Sequence, residues 1–257
     1  MNIEIKKAVK AGNSSAVILP RSWLDREVRV ELVKKTPEII LRDVLEISKE
    51  SIDSGQIIGI YLVGSYARDE ETKDSDIDIL IVSRDITKKE IKKGIYSILV
   101  ISLDLLLNKL ENNLLPIGPM LYEATPLLNS AYLDLLKDRV KITKKNVKWY
   151  INTTKEKLNI IREVLTENQE RIDNRTIYTL VLRIRTLKII EELIKNKSYS
   201  KRDFVKLIAK ISGSNNAYES YLSQKNNLIN PNLTTKEEAE KLYNYLKKQL
   251  DYVKRIL

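Results

Sequence analysis

The chain has 257 residues, and its formal net charge of +10 favours a polyanionic partner such as nucleotide or nucleic acid, although a thermophile's surface chemistry explains the same composition equally well. It contains no cysteine and no histidine, which excludes disulfides, thiolate or histidine metal sites and histidine acid–base catalysis, and leaves carboxylate-plus-Mg²⁺ chemistry as the natural catalytic option. No apolar run approaches the roughly 20 residues of a membrane span, and the N-terminus has no signal-peptide core, so we expect a cytoplasmic protein with no membrane partner.

Residues 1–35 are predicted to form a small β unit. The pattern predicts short strands at 3–5 and 16–19 around a turn at 12–14, a helical turn at 20–24 and a third strand at 28–32. A segment of this length cannot bury an adequate core by itself. We therefore expect it to pair with a second copy of the chain.

The phrase from Val9 to Pro20, built around Gly12-Asn13-Ser14 and Leu19-Pro20, resembles the AbrB/MazE-like swapped-hairpin family. Members of that family dimerise and often bind DNA, so the resemblance implies a homodimer and a possible DNA partner. The basic residues that would meet phosphates are Lys6, Lys7, Lys10 and Arg21. A dimerisation hairpin whose lysines are merely solvated remains the alternative.

The next segment predicts a helix packed on a sheet. Thr36-Pro37-Glu38 is typical of a helix start, with Thr as N-cap and Pro at the first helical position. The helix ends near Gly55. The apolar run 57–63 then has the length and β-branched content of a buried strand.

Two acids follow this strand at alternate positions. Gly64-Ser65 ends the strand, and a second strand, residues 76–82, opens with Asp76 and Asp78. Side chains alternate across a strand, so the two carboxylates lie on one face. They repel each other unless a cation lies between them, and Mg²⁺ commonly binds one or two carboxylates together with triphosphate oxygens. The Gly-Ser turn offers backbone N–H groups and a hydroxyl to those phosphates.

This combination closely resembles the minimal nucleotidyltransferases of the DNA polymerase beta superfamily. The elements that match are Gly64-Ser65, Ala67-Arg68 and Ser75-Asp76-Ile77-Asp78, in order and at the family's spacing. The resemblance implies that Asp76 and Asp78 hold Mg²⁺ (or Mn²⁺). It also implies that Gly64, Ser65 and Arg68 bind the phosphates of an NTP.

A third strand is predicted at 95–101, after a helix that starts from the Thr87–Glu90 capping box and stops at Gly94. Relatives commonly carry a third carboxylate in this strand, and here the matching position is near Ser97. Asp104 is the nearest acid, a weak catalytic candidate because a helix start alone explains it.

A second departure from the family lies in the loop between the two strands. Relatives usually have a glycine after the arginine of the motif, and this chain has Asp69 there.

Residues 141–257 are predicted to be helical. Helices are expected at 144–165, 175–195, from 201 to Gly213, and 236–257, with apolar spacing that suits an antiparallel bundle. The bundle resembles the HEPN-like or substrate-binding helical domains that accompany this nucleotidyltransferase branch. HEPN ribonucleases need an Arg followed by a nearby His, and the absence of histidine leaves ribonuclease activity unsupported.

The sequence thus predicts an α+β protein with three parts. A β dimerisation or DNA-binding segment (1–35) precedes a polymerase-beta-like nucleotidyltransferase core (36–140) and a helical bundle (141–257). The predicted reaction is Mg²⁺-dependent transfer of a nucleoside monophosphate from an NTP to a hydroxyl of a protein, an RNA or a small molecule. The alternative is a DNA-binding, antitoxin-like regulator whose nucleotidyltransferase site is residual or only binds nucleotide.

Overall fold

A computed structural model describes residues 4–6, 8–30, 36–72, 75–228, 231 and 233–257. The chain forms two compact units. The first consists of Met1–Asn108 with Met120–Val140, and the second of Lys109–Pro119 with Lys141–Leu257. Among the described residues, no helix is both long and apolar enough to cross a membrane.

The first unit is built on a mixed five-stranded sheet. The strands among the described residues are β1 (Val9–Ala11), β2 (Ser14–Ala16), β3 (Ile57–Val63), β4 (Ile77–Ser83), β5 (Lys88–Lys93), β6 (Tyr96–Ser102) and β7 (Thr125–Leu128). The sheet has the order β5-β6-β4-β3-β7. β4 and β6 are parallel, while the other neighbouring pairs are antiparallel.

The helices divide between the sheet and the C-terminal part. They are α1 (Pro37–Ser48), α2 (Gly64–Ala67), α3 (Leu103–Asn112), α4 (Ile117–Glu123), α5 (Ser130–Lys137), α6 (Lys144–Thr166), α7 (Asn174–Ile194), α8 (Lys201–Ser212), α9 (Asn216–Lys225) and α10 (Lys236–Ile256). Single 3₁₀ turns lie at Arg21–Trp23 and Ser54–Gln56. The predicted α+β class is confirmed, with a small N-terminal hairpin and a helical C-terminal part.

One face of the sheet packs against α1. Ile40, Val44 and Ile47 of that helix share a buried apolar cluster with Ile79 of β4 and Ile98 of β6. The residues that alternate with Ile79 and Ile98 therefore lie on the opposite face. The register pairs Ile79 with Ile98 directly, so the two strands present matched rows.

The prediction of a helix after Thr87 is wrong, because Lys88–Lys93 forms the edge strand β5. Its only apolar residue is Ile91, which packs partly buried against the α1 cluster, so the segment lacks the apolar spacing of a helix. Gly94, at φ +60°, begins a two-residue turn that joins β5 to β6. A positive φ at this position is what tight hairpins require.

The N-terminal strands lie closer to their turn than predicted. β1 and β2 pair immediately on either side of Gly12-Asn13, because a two-residue turn closes a hairpin without spare residues. The described residues of the strands predicted at 3–5 and 28–32 are not strand, and only the first residue of 16–19 is. The helical turn predicted at 20–24 is confirmed.

The second unit is helical, as predicted. α6, α7, α8 and α10 lie within two residues of their predicted bounds, and α9 was not predicted. Capping boxes start α6 at Thr143 and α10 at Thr235, and Ser200 caps α8. Gly213 ends α8 with φ +91°, the left-handed helix end for which glycine is preferred.

Candidate active site

Gly64 brings the turn after β3 against the Asp78 carboxylate. Val63 pairs with Asp78 across the antiparallel β3–β4 ladder, and the chain turns into α2 at Gly64 with φ +73°. A Cβ on Gly64 would overlap Asp78 Oδ2 and lie 3.1 Å from Asp78 Cβ and Cγ. Only glycine satisfies both the backbone angle and this close approach.

The two predicted metal ligands differ in burial. Asp78 lies in β4 and is half-buried, while Asp76 lies one residue before the strand and is exposed. Ile77 between them is fully buried on the other face. This alternation places both carboxylates on the face away from α1. A hard cation that prefers oxygen ligands suits such a pair.

Ser97 lies beside Asp78 in the sheet. The parallel β4–β6 register pairs Asp78 with Ser97, and the antiparallel β5–β6 register pairs Ser97 with Lys92. Paired residues share a face, so this row presents a carboxylate, a hydroxyl and an ammonium group. Among the described residues, no group of three or more carboxylates forms a metal site.

The structure does not bring Asp104 together with Asp76 and Asp78. Ser97 and Ser102 are five residues apart on β6, which is about 16 Å of strand. Asp104 lies beyond Ser102 in the first turn of α3 and is exposed. We therefore leave Asp104 out of the proposed site.

Arg68 is held by two carboxylates that sequence reasoning missed. Its Nη1 donates to Glu123 Oε2 at 2.6 Å, and its Nε donates to Glu70 Oε2 at 3.1 Å. Burial disfavours the charged guanidinium, but attraction to Glu123 and Glu70 outweighs it and raises the pKa of Arg68 above its ordinary value. The Arg68 charge is therefore paired within the protein itself.

Glu123 also reaches the turn itself. The backbone N–H of Gly64 donates to Glu123 Oε1 at 2.9 Å, so one carboxylate from the end of α4 fixes both the turn and Arg68. The side chain of Glu123 is 9% exposed. No signal in the sequence marks this residue, because the contact joins positions 55 residues apart.

The loop after α2 explains the unusual residue next to Arg68. Asp69 adopts φ +53°, a left-handed conformation that glycine prefers and aspartate tolerates better than most residues. The backbone N–H groups of Arg68 and Glu70 both donate to the Ser65 carbonyl, at 3.2 and 2.9 Å. Ser65 itself is half-buried in α2.

The predicted nucleic-acid contacts lie in the N-terminal segment. Lys10 in β1 and Arg21 in the 3₁₀ turn are both exposed. Lys6 pairs with Glu4 at 3.6 Å, and Lys7 lies outside the described residues.

Comparison with known proteins identifies a family and two distant structures. The family described as Nucleotidyltransferase domain matches residues 40–206, more than half of the chain and the whole of the site above. A nucleotidyltransferase-like protein from Exiguobacterium sibiricum 255-15 is 15% identical with TM-score 0.36, over 83% of this chain and 75% of its own. Spectinomycin adenyltransferase AAD(9) from Enterococcus faecialis, solved with ATP and spectinomycin, is 16% identical with TM-score 0.44, over 82% and 98%. No curated protein sequence matches the chain.

Proposed function

Since the chain belongs to the nucleotidyltransferase domain family and is a nucleotidyltransferase, we propose that it uses Mg²⁺ (or Mn²⁺) to move a nucleoside monophosphate from an NTP to an acceptor hydroxyl. The acceptor oxygen forms a bond to the α-phosphorus, the bond from that phosphorus to the bridging oxygen breaks, and pyrophosphate leaves. The acceptor candidates are a protein, an RNA or a small molecule.

The observation that carries this proposal is the contact between Gly64 and Asp78. Because Gly64 and Asp78 are in van der Waals contact, the contact supports a site in which a phosphate-binding turn lies next to a metal-binding carboxylate. In this proposal Gly64 and Ser65 bind the β- and γ-phosphates, and Asp76 with Asp78 holds the metal. Arg68 orients the turn through Glu123 rather than acting as a free cation.

The residues present fit a divalent metal. Asp76 and Asp78 offer oxygen ligands from one face of the β4 end, and the triphosphate supplies further oxygens. Bound there, the metal would neutralise charge that develops on the phosphates. Because Glu70 and Glu123 already pair with Arg68, that residue contributes little net charge against the triphosphate. This favours metal-dependent nucleotide binding.

Proton removal is the weak step of the proposed site. Ser97 occupies the row position beside Asp78, and its neutral hydroxyl is a poor base at neutral pH. In our proposal the acceptor proton is therefore released to water. We expect transfer to be slow compared with enzymes that have a carboxylate at this position.

The test is incubation with each α-labelled NTP and Mg²⁺, with and without total cell RNA and protein. We expect label on one class of macromolecule, and we expect its loss with EDTA and in the Asp76→Ala, Asp78→Ala double variant. Asp76 is exposed and Asp78 half-buried, so circular dichroism should show the double variant folded. Equal labelling by the wild type and the folded double variant would overturn the site assignment.

A second candidate function is a DNA-binding regulator, which the N-terminal segment favours. Ile18, Leu24 and Val30 expose 70%, 72% and 68% of their surface, an unusual amount for apolar side chains close together in sequence. We propose that a second copy covers them and that the dimer presents Lys10 and Arg21 to DNA. Duplex binding that disappears when residues 1–35 are deleted, and a change from dimer to monomer in the same deletion, would support it. Unchanged mass and DNA affinity would refute it.

A further inference from the structure

The net positive charge of the chain lies entirely in its C-terminal part. Residues 141–257 contain 25 of the 45 Lys and Arg but 13 of the 35 Asp and Glu, a net charge of +12. Residues 1–140 hold the other 20 basic and 22 acidic residues, a net charge of −2. A general surface bias would spread over both parts, whereas charge concentrated in one part is typical of a polyanion-binding surface.

The first half of α6 places this charge on one helix. Residues 144–155 include Lys144, Lys145, Lys148 and Lys155 but no Asp or Glu, and all four lysines are exposed. Cations at a helix N-terminus oppose the helix dipole, and like charges four residues apart repel each other. Both features reduce helix stability. Lys145 is compensated by an ion pair with Glu111 at 3.4 Å, whereas Lys144 and Lys148 have no ion pair within the described part of the chain. For these two lysines a local rule is broken without structural benefit, which indicates function.

Trp149 lies among these lysines with 59% of its surface exposed. The guanidinium of Arg183, from α7, lies 5.9 Å from the indole centroid. Tyr150 meets the indole edge-on at 4.9 Å. These neighbours hold the ring in place while more than half of it faces solvent. An ordered aromatic ring beside a cation is the arrangement on which a nucleobase stacks.

Arg183 has no carboxylate within ion-pair distance in the described part of the chain. Its Nη1 donates to Thr153 Oγ1 at 2.9 Å, and its buried Nε has no hydrogen-bond partner there. Burial lowers the pKa of the Arg183 guanidinium. By contrast, Lys188 on the same helix pairs with Glu191 and Glu192 at 3.4 and 2.7 Å. The charge of Glu156 partly offsets the effect of burial on the pKa of Arg183 but forms no ion pair with Arg183, so the guanidinium can still bind an anionic ligand.

We propose that Lys144, Lys148, Trp149 and Arg183, the α6–α7 basic surface, bind single-stranded nucleic acid. One base stacks on Trp149, and phosphates bind Arg183 and the lysines. A duplex hides the faces of its bases, so a single strand or an unpaired end is the ligand that uses the ring. The inference rests on the proposed function, because it makes a nucleic acid the acceptor whose terminal hydroxyl receives the nucleotide.

The test measures binding apart from catalysis. Fluorescence anisotropy of a labelled 12-nucleotide RNA, and of DNA of the same sequence, is followed with the full chain in EDTA without NTP. The variants are Trp149→Ala, Trp149→Phe and Arg183→Gln. The matched control is Lys157→Gln, because Lys157 is an exposed lysine of the same helix nine residues after Lys148, half a turn around the axis.

We expect RNA, DNA or both to bind, with an affinity that falls as salt rises. Trp149→Ala and Arg183→Gln should each weaken binding at least tenfold, about 1.4 kcal/mol. Trp149→Phe, which keeps a ring, should lose much less, and Lys157→Gln should have little effect. Losses in Trp149→Ala and Arg183→Gln no larger than in Lys157→Gln would overturn the proposal. Competition by polyglutamate as strong as by RNA would also overturn it, in favour of an acidic protein partner.

Failure of the proposed function gives a different result. The Asp76→Asn, Asp78→Asn double variant should bind the oligonucleotide like the wild type, because those residues lie in the other unit. If the oligonucleotide binds as predicted but never receives label, the transferase proposal fails and the binding surface stands. If label is transferred to RNA equally by wild type and by Trp149→Ala, the surface is wrong and the transferase stands.

Discussion

Replacing Gly64 by alanine tests the geometry on which the active-site proposal depends. The native φ of +73° costs an L-residue about 1–2 kcal/mol. The added methyl would also overlap Asp78 Oδ2, and forcing atoms into a packed site typically costs a further ~1–3 kcal/mol. We expect a total loss of roughly 2–5 kcal/mol of unfolding free energy, together with loss of Mg²⁺-dependent NTP binding because Asp78 must move.

Gly213→Ala is the matched control. Gly213 also has a left-handed backbone, at φ +91°, but nothing lies within 4 Å of a Cβ placed there. It should therefore lose only the backbone part, about 1–2 kcal/mol, and keep full NTP binding. Urea unfolding followed by circular dichroism, and binding of a fluorescent NTP with Mg²⁺, measure both quantities for each variant.

A second substitution separates the cost of the backbone angle at Gly64 from the cost of the overlap with Asp78. In an Asp78→Ala background the carboxylate is absent and only the close contact with the Cβ of residue 78, at 3.1 Å, remains. Gly64→Ala should therefore cost clearly less there than in the wild type. The two substitutions should thus be coupled by at least ~1 kcal/mol, within the range observed for residues in contact. Additive effects, or a Gly64→Ala variant that binds NTP normally, would refute the assignment of Gly64 and Asp78 to one site.

Two further predictions concern Ser97 and Tyr61. Ser97→Asp should raise the rate of label transfer at least tenfold, since a positioned base contributes about 10²–10⁴-fold to the rate. Ser97→Asn and Asp104→Asn should leave the rate unchanged. Initial rates with labelled NTP measure these effects, and an unchanged rate in Ser97→Asp would contradict the role proposed for that position. Burial, with Tyr132 nearby, raises the pKa of Tyr61 to about 12. The stabilisation that comes from burying the neutral phenol is therefore complete below about pH 10, where Tyr61 begins to ionise in the unfolded chain. It is lost as the pH rises through 12. Tyr61→Phe should reduce this alkaline loss of stability, but only in part, because burial also raises the pKa of Tyr199 to about 12. Urea unfolding at pH 9–12 measures how steeply the unfolding free energy falls with pH. Identical slopes for wild type and Tyr61→Phe would contradict the prediction.

Most of the elements that position the site could be predicted from local sequence. The run 57–63 is β3 with the predicted bounds, and β4 is displaced by a single residue. Thr36-Pro37 begins α1 as the pattern indicates. These predictions succeed because a short β-branched run and a cap are determined by nearby residues.

Other features depend on contacts that no local pattern contains. The capping-box pattern at Thr87 predicts a helix. Lys88–Lys93 instead pairs with the edge of β6 through backbone hydrogen bonds, and Gly94 forms the hairpin turn between the two strands. Glu123 joins Gly64 and Arg68 across more than 50 residues. Sequence patterns within a window of a few residues cannot show either contact.

The position of Ser97 follows from the sequence and from the sheet register alike. Counting along the chain placed the family's third carboxylate near this residue, and the parallel register pairs Ser97 with Asp78. The missing acid is therefore not explained by a shifted strand. The structure also offers no substitute on the same row, where the next residue is the exposed Lys92. An ammonium group cannot accept the acceptor's proton, but it attracts phosphate. The proposed site is thus expected to bind a nucleotide better than it activates an acceptor, and the Ser97→Asp variant separates these two capacities.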